Sequence, residues 1–167
     1  MALSPQEIST IEAKASDVLT GTFGAGPIKF PIDLGAVAHK CGISLKQGRF
    51  ENPEAIGYLD RAKKEIYVAS EMRLPRMAFT IAHELGHYIL HEHKEKDTYW
   101  RLEQLNLDKQ DIQEEKEANW FAASLLMPRD ELTQMWRKTK KTQELADIFG
   151  VSRTAMVWRL INLGLLT

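Results

Sequence analysis

Hydrophobic residues recur at helical spacing in two long segments. The first, at about residues 75–91, is apolar on nearly all sides, which is typical of a buried helix. One strip of this segment nevertheless carries histidines. The second segment, at about residues 111–127, places alanines and leucines on one face and ends at Pro128, which cannot continue a helix.

Shorter patterns predict the remaining elements. Ser4-Pro5-Gln6-Glu7 is a capping box with proline at the first helical position, so a helix should begin there and run to about residue 20. A short helix should follow residues 31–33 and stop at Gly42. Residues 43–50, 55–60 and 65–69 favour strands, whereas residues 92–111 resemble a charged connector. The prediction is an α+β fold with a small antiparallel sheet packed on the buried helix and additional helices behind it.

Composition narrows the class of protein. The chain has 167 residues, 44% of them hydrophobic and 27% charged, which fits a globular protein with one main domain. A net charge of -1 gives no general attraction to nucleic acid or anionic membranes. Cys41 has no second cysteine to pair with, and the first residues lack the pattern of a secretion signal. We therefore expect a cytoplasmic protein without a membrane partner.

The histidine strip contains a metal-binding motif. His83-Glu84-Leu85-Gly86-His87 matches H-E-x-x-H, in which histidines four residues apart on a helix can reach one ion. Imidazole ligands suit zinc, so we expect one Zn²⁺ per chain, with Glu84 as the catalytic base. Gly86 is costly inside a helix, and it predicts that another segment approaches this helix closely.

The third metal ligand must come from elsewhere in the chain. His93 would complete a metzincin-like pattern, but Leu90 stands where that pattern needs glycine. On the helix at about 111–127, Glu115 projects among the inward-facing alanines, whereas Glu117 falls to one side. Glu115 is the predicted ligand, and Glu117 and His93 are alternatives. Asn119, one turn after Glu115, is placed to hydrogen-bond a ligand histidine.

Residues 77–91 and 115–128 together resemble the ImmA/IrrE family of metallopeptidases. The element from Glu115 to Asn119 is similar to the E-x-x-x-D element of gluzincins, with asparagine in place of aspartate. The resemblance implies that Glu115 is the third zinc ligand and that Asn119 takes the place of the acidic partner. It also implies a zinc endopeptidase that cleaves a helix-turn-helix transcriptional repressor and so switches on genes of a mobile element, a phage or a stress response.

The C-terminal part supports a rival prediction. We divide the chain into a metallopeptidase domain, residues 1–128, and a helical segment, residues 129–167. Residues 144–156 carry the Leu-Ala and Gly-Val-Ser positions of a helix-turn-helix, whose second helix would present Arg153, Thr154 and Val157 to DNA. The rival is a DNA-binding transcriptional regulator with a structural or sensory zinc site. Nucleic acid is not the favoured partner, because helix-turn-helix geometry is also a common way to pack two helices.

The sequence also contains candidates for contact with substrate. Tyr58, His91, His93 and Tyr99 are candidates for stabilising the oxyanion or contacting substrate. Residues 57–60 are predicted as an edge strand to which an extended peptide could add.

Overall fold

The computed structural model describes residues 2–52, 55–92, 98–102 and 109–167, and for residues 98–102 and 109–111 it describes the backbone. The chain is α+β, as predicted, and these residues form seven helices and four strands. In chain order they are α1 (Pro5–Phe23), α2 (Leu34–Lys40), β1 (Ser44–Gly48), β2 (Ala55–Asp60), β3 (Glu65–Ala69), α3 (Leu74–Leu90), β4 (Thr98–Leu102), α4 (Lys109–Leu126), α5 (Arg129–Thr139), α6 (Thr142–Phe149) and α7 (Arg153–Asn162).

Local sequence signals explain where the first helices begin and end. The Ser4 hydroxyl accepts a hydrogen bond from the Glu7 amide, and the Glu7 carboxylate accepts one from the Ser4 amide, which confirms the capping box. Asp33 caps α2 by accepting a hydrogen bond from the Ala36 amide at 2.9 Å. The chain leaves α2 through Gly42, whose φ of 72° is readily adopted only by glycine.

The sheet corrects two expectations. Its strand order is β1-β3-β2-β4, and β1 runs parallel to β3, so the sheet is mixed rather than wholly antiparallel. The predicted edge strand, β2, is interior, because it pairs with β3 on one side and with β4 on the other. Strand β4 lies within the segment that was expected to be a connector, and it occupies the edge that β2 was expected to form.

Helix α3 lies between the sheet and α4, and it contacts both β2 and β3. The sheet presents its buried side chains to the core at alternate positions, among them Leu59, Ile66 and Val68. The guanidinium of Arg61, just after β2, donates hydrogen bonds to the carbonyl oxygens of His87 and Tyr88 near the end of α3. These carbonyls lie in the last turn of α3, where the negative end of the helix dipole favours a cation, so Arg61 anchors the end of α3 to the sheet.

The C-terminal helices share the same hydrophobic core as the rest of the chain. The Glu12 carboxylate of α1 accepts hydrogen bonds from Trp120 at 3.3 Å, from Arg129 at 2.9 and 3.1 Å and from Arg159 at 3.2 Å. We call these four residues the Glu12 cluster. It connects α1 to α4, α5 and α7. The predicted boundary at residue 128 stays a prediction.

Across the part of the chain that the structure describes, no helix combines the length and apolar character needed to cross a membrane.

Candidate metal centre

Helices α3 and α4 come unusually close together at the centre of the molecule. A Cβ atom built on Gly86 of α3 would lie 3.1 Å from both the Cα and the carbonyl oxygen of Ala118 in α4. The predicted close approach to Gly86 is thus present, and the approaching segment is α4. Because Glu115 is one turn before Ala118, this contact brings its carboxylate to the histidine strip of α3.

Three side chains converge at this contact. The Nε2 atoms of His83 and His87 are 3.0 Å apart, and the Glu115 oxygens lie 3.2 Å from His83 Nε2 and 2.9 Å from His87 Nε2. Both histidines are buried, whereas the Glu115 side chain is 30% exposed, so the cluster reaches solvent beside Glu115. Burial alone would raise the pKa of Glu115, but the hydrogen bonds and charges of the two histidines hold it well below its usual range.

The donor chemistry of this cluster fits a metal ion. The Asn119 side-chain oxygen lies 2.9 Å from His83 Nδ1, and an amide oxygen can only accept a hydrogen bond. His83 therefore carries its proton on Nδ1 and, when neutral, presents an Nε2 lone pair to the cluster. The donor atoms of His83, His87 and Glu115 all lie within 4.8 Å of one another. Two imidazoles and one carboxylate form the ligand set of many catalytic zinc sites.

Glu84 is buried next to the cluster but is not one of the three converging donors. It occupies the sheet side of α3, opposite Gly57 of β2. A Cβ atom at Gly57 would lie 3.3 Å from a Glu84 carboxylate oxygen and 2.5 Å from Cγ2 of Thr80. Glycine at this position therefore provides the room in which the Glu84 carboxylate sits.

The alternative ligand Glu117 binds a different histidine. Its Oε2 atom lies 3.0 Å from His91 Nε2, and the Nδ1 atom of His91 lies 3.1 Å from His87 Nδ1. His91 was a candidate for substrate contact, but it is buried between His87 and Glu117. Burial lowers its pKa, and hydrogen bonding to Glu117 opposes that shift. The signal for this arrangement was present in the sequence, since His83, His87 and His91 are spaced four residues apart.

The remaining candidates for substrate contact lie elsewhere or outside the described residues. Tyr58 follows Gly57 in β2 and therefore points to the opposite face of the sheet from Glu84. There its ring packs on Tyr67, with ring centroids 5.5 Å apart, and its hydroxyl lies 3.4 Å from Asp60 Oδ2. Tyr99 belongs to β4, for which the structure describes the backbone alone, and His93 lies outside the described residues.

Comparison with known proteins gives one family and a shared fold. Residues 38–160 match the model of the peptidase M78 family, described as the IrrE N-terminal-like domain. A solved Mycobacterium tuberculosis transcriptional regulator is similar to this chain with a TM-score of 0.70 and 17% sequence identity, and the match covers 91% of this chain and 46% of that one. At this identity the likeness shows the fold alone, and the chain spans about half the length of that regulator. No curated protein matches the chain.

Proposed function

Because the chain belongs to the peptidase M78 family through its IrrE N-terminal-like domain, we propose that it is a zinc-dependent endopeptidase. His83, His87 and Glu115 are proposed as the metal ligands and Glu84 as the general base. The observation that carries this proposal is the convergence of two imidazoles and one carboxylate beside a second, buried carboxylate. A purely structural metal site has no need of Glu84.

Each side chain has a distinct task in this proposal. A bound zinc ion would supply Lewis-acid polarisation of a peptide carbonyl and would make water more acidic. Glu84 accepts the proton of the attacking water and then delivers it to the nitrogen of the leaving amine. Asn119 orients the His83 ring by accepting its Nδ1 proton, and Gly57 leaves space for the Glu84 carboxylate.

The substrate proposed here is a protein with an extended segment. Among the described strands, β4 pairs only with β2, and we propose that a substrate strand pairs with its other side. This proposal replaces the predicted addition of substrate to β2. The family resemblance supports a helix-turn-helix transcriptional repressor as the protein that is cleaved, with cleavage switching on genes of a mobile element, a phage or a stress response.

A DNA-binding regulator is the second candidate function. Helices α6 and α7 pack together, Gly150 ends α6, and α7 exposes Arg153 and Thr154 at its start. Such a regulator would bind a promoter fragment with a steep dependence on salt, because binding releases counterions from DNA. It would not require the Glu84 carboxylate.

Glu84→Gln separates the two candidates. We expect this variant to bind zinc as the wild type does and to have no peptidase activity. The experiment compares new protein N-termini in bacterial cells that express the wild type, Glu84→Gln or His83→Ala. N-termini that appear only with the wild type support the endopeptidase. Zinc binding by the wild type without any Glu84-dependent N-terminus, together with salt-sensitive promoter binding, would instead establish the regulator.

A further inference from the structure

A chain of three buried or half-buried side chains leads away from the candidate metal centre on the side opposite the His87 Nε2 atom. His87 Nδ1 lies 3.1 Å from His91 Nδ1, and His91 Nε2 lies 3.0 Å from Glu117 Oε2. The side chain of His91 is 4% exposed and that of Glu117 is 23% exposed. The second Glu117 oxygen accepts a hydrogen bond from the Gln113 amide at 3.2 Å, which fixes the carboxylate at the outer end.

The order of donors and acceptors along these three side chains is determined by Glu117, at the outer end. An ionised carboxylate can only accept hydrogen bonds, so His91 donates its Nε2 proton to Glu117. A neutral His91 then has a lone pair on Nδ1, which accepts the Nδ1 proton of His87. His87 is left with a lone pair on Nε2, the atom that faces His83 and Glu115.

We propose that His91 and Glu117 are positioning residues that hold His87 in the tautomer and ring orientation needed for metal binding. They act through His87 and do not themselves reach the metal. Each ligand histidine thus has its own partner: the Asn119 amide oxygen for His83 and the His91–Glu117 pair for His87. This inference rests on the metal-binding part of the proposed function and is independent of peptidase activity.

The test is the affinity of each variant for zinc alone, measured by competition with a chelating indicator at fixed pH. Loss of the partner that orients a ligand histidine typically weakens metal binding by about 10–100-fold, so we expect losses in that range for His91→Leu and Glu117→Leu. The double variant should bind zinc no more weakly than His91→Leu, because the two residues act in series. Glu117→Gln keeps an oxygen that accepts the His91 proton, and it should retain most of the affinity.

Matched controls keep the outcomes distinct. His39→Leu removes an exposed histidine of α2 and should bind zinc as the wild type does. In the zinc-loaded wild type, the His87 Nδ1 proton should give a slowly exchanging NMR signal that disappears in His91→Leu. Wild-type affinity in both His91→Leu and Glu117→Leu would overturn the positioning role and leave the proposed function standing. A wild type that binds no zinc would overturn both.

Discussion

Gly86 of α3 lies directly against the backbone of Ala118 in α4. The 3.1 Å separation between a Cβ atom built on Gly86 and the Ala118 Cα and carbonyl oxygen is closer than most side chains tolerate. Since His83 and His87 belong to α3 and Glu115 to α4, this contact sets the spacing of the three proposed donors. The glycine thus shapes the proposed metal site although it supplies no donor atom.

Gly86→Ala should therefore damage the site by pushing the two helices apart. The added methyl group meets backbone atoms that cannot rotate away, and overpacking of this kind costs about 1–3 kcal/mol in the free energy of unfolding. Zinc affinity should fall together with stability, as measured by urea unfolding and chelator competition. The control is Gly21→Ala in α1, which has nothing within 4 Å of the new methyl group. That control should gain up to about 1 kcal/mol from helix propensity. Equal gains in both variants would contradict the packing argument.

Gly57→Ala should disturb Glu84 in a way that a second substitution repairs. The new Cβ would lie 2.5 Å from Thr80 Cγ2, so α3 or β2 must shift, and the Glu84 carboxylate moves with them. We expect lower stability and lower peptidase activity. Thr80→Ser removes the methyl group and keeps the hydroxyl, so the double variant should recover much of the lost stability. If Thr80→Ser gives no recovery in thermal unfolding, the clash is not the cause of the defect.

Asn119→Ala should weaken zinc binding, whereas Asn119→Asp should not. Alanine removes the oxygen that accepts the His83 Nδ1 proton, so zinc affinity should fall by about 10–100-fold. Aspartate keeps an acceptor and adds negative charge, so its zinc affinity should equal or exceed that of the wild type. The measurement is chelator competition at fixed pH. An aspartate variant as weak as the alanine variant would show that the amide group does more than accept this hydrogen bond.

Acid should weaken the fold through Glu12. Burial raises the pKa of Glu12, but its hydrogen bonds and charge interactions with Arg129 and Arg159 outweigh burial and lower it below the ordinary 4.5. Because the folded-state pKa is the lower one, ionised Glu12 stabilises the protein above pH 4.5, and this contribution is lost as the pH falls through the folded-state value. Glu12→Gln should cost about 3 kcal/mol near neutral pH, since Arg159 is buried and loses its charged partner.

The difference between the wild type and Glu12→Gln should shrink on acidification, and urea unfolding at a series of pH values measures it. Asp17→Asn is the matched control, because Asp17 is an exposed carboxylate on the same helix. Its effect on stability should be small at every pH. A constant difference between Glu12→Gln and the wild type across the series would contradict the assignment of the acid response to Glu12.

Elements with local signals could be predicted from the sequence alone. The capping box at Ser4, the glycine after α2 and the apolar periodicity of α3 depend on residues within one or two turns of one another. The proximity of Glu115 to the histidine strip was also predictable. The alanines around Glu115 and the glycine between the histidines are both small, and together they indicated that two helices meet there.

Features that depend on distant partners could not be predicted in the same way. Strand β4 lies in a segment rich in charged residues, which does not favour a strand. It forms through backbone pairing with β2, about 40 residues earlier in the chain. The parallel pairing of β1 with β3 likewise depends on the path of the whole chain. Glu117 lies on α4, whereas its partner His91 lies at the C-terminal end of α3. The sequence alone did not reveal this pairing, so Glu117 remained an alternative metal ligand. Its role became visible only when α3 and α4 were placed together.

The Glu12 cluster shows that the segment matched by the family model and the segment that folds around one core have different limits. The family match covers residues 38–160, so it begins after α1 has ended. The Glu12 carboxylate of α1 nevertheless accepts hydrogen bonds from Trp120, Arg129 and Arg159, which lie on three helices of the matched segment. Arg159 is buried, so a relative that lacks α1 needs another anion at the same place. The segment matched by the family model is therefore smaller than the part of the chain that supports the position of α4, and with it the position of Glu115, the third proposed donor.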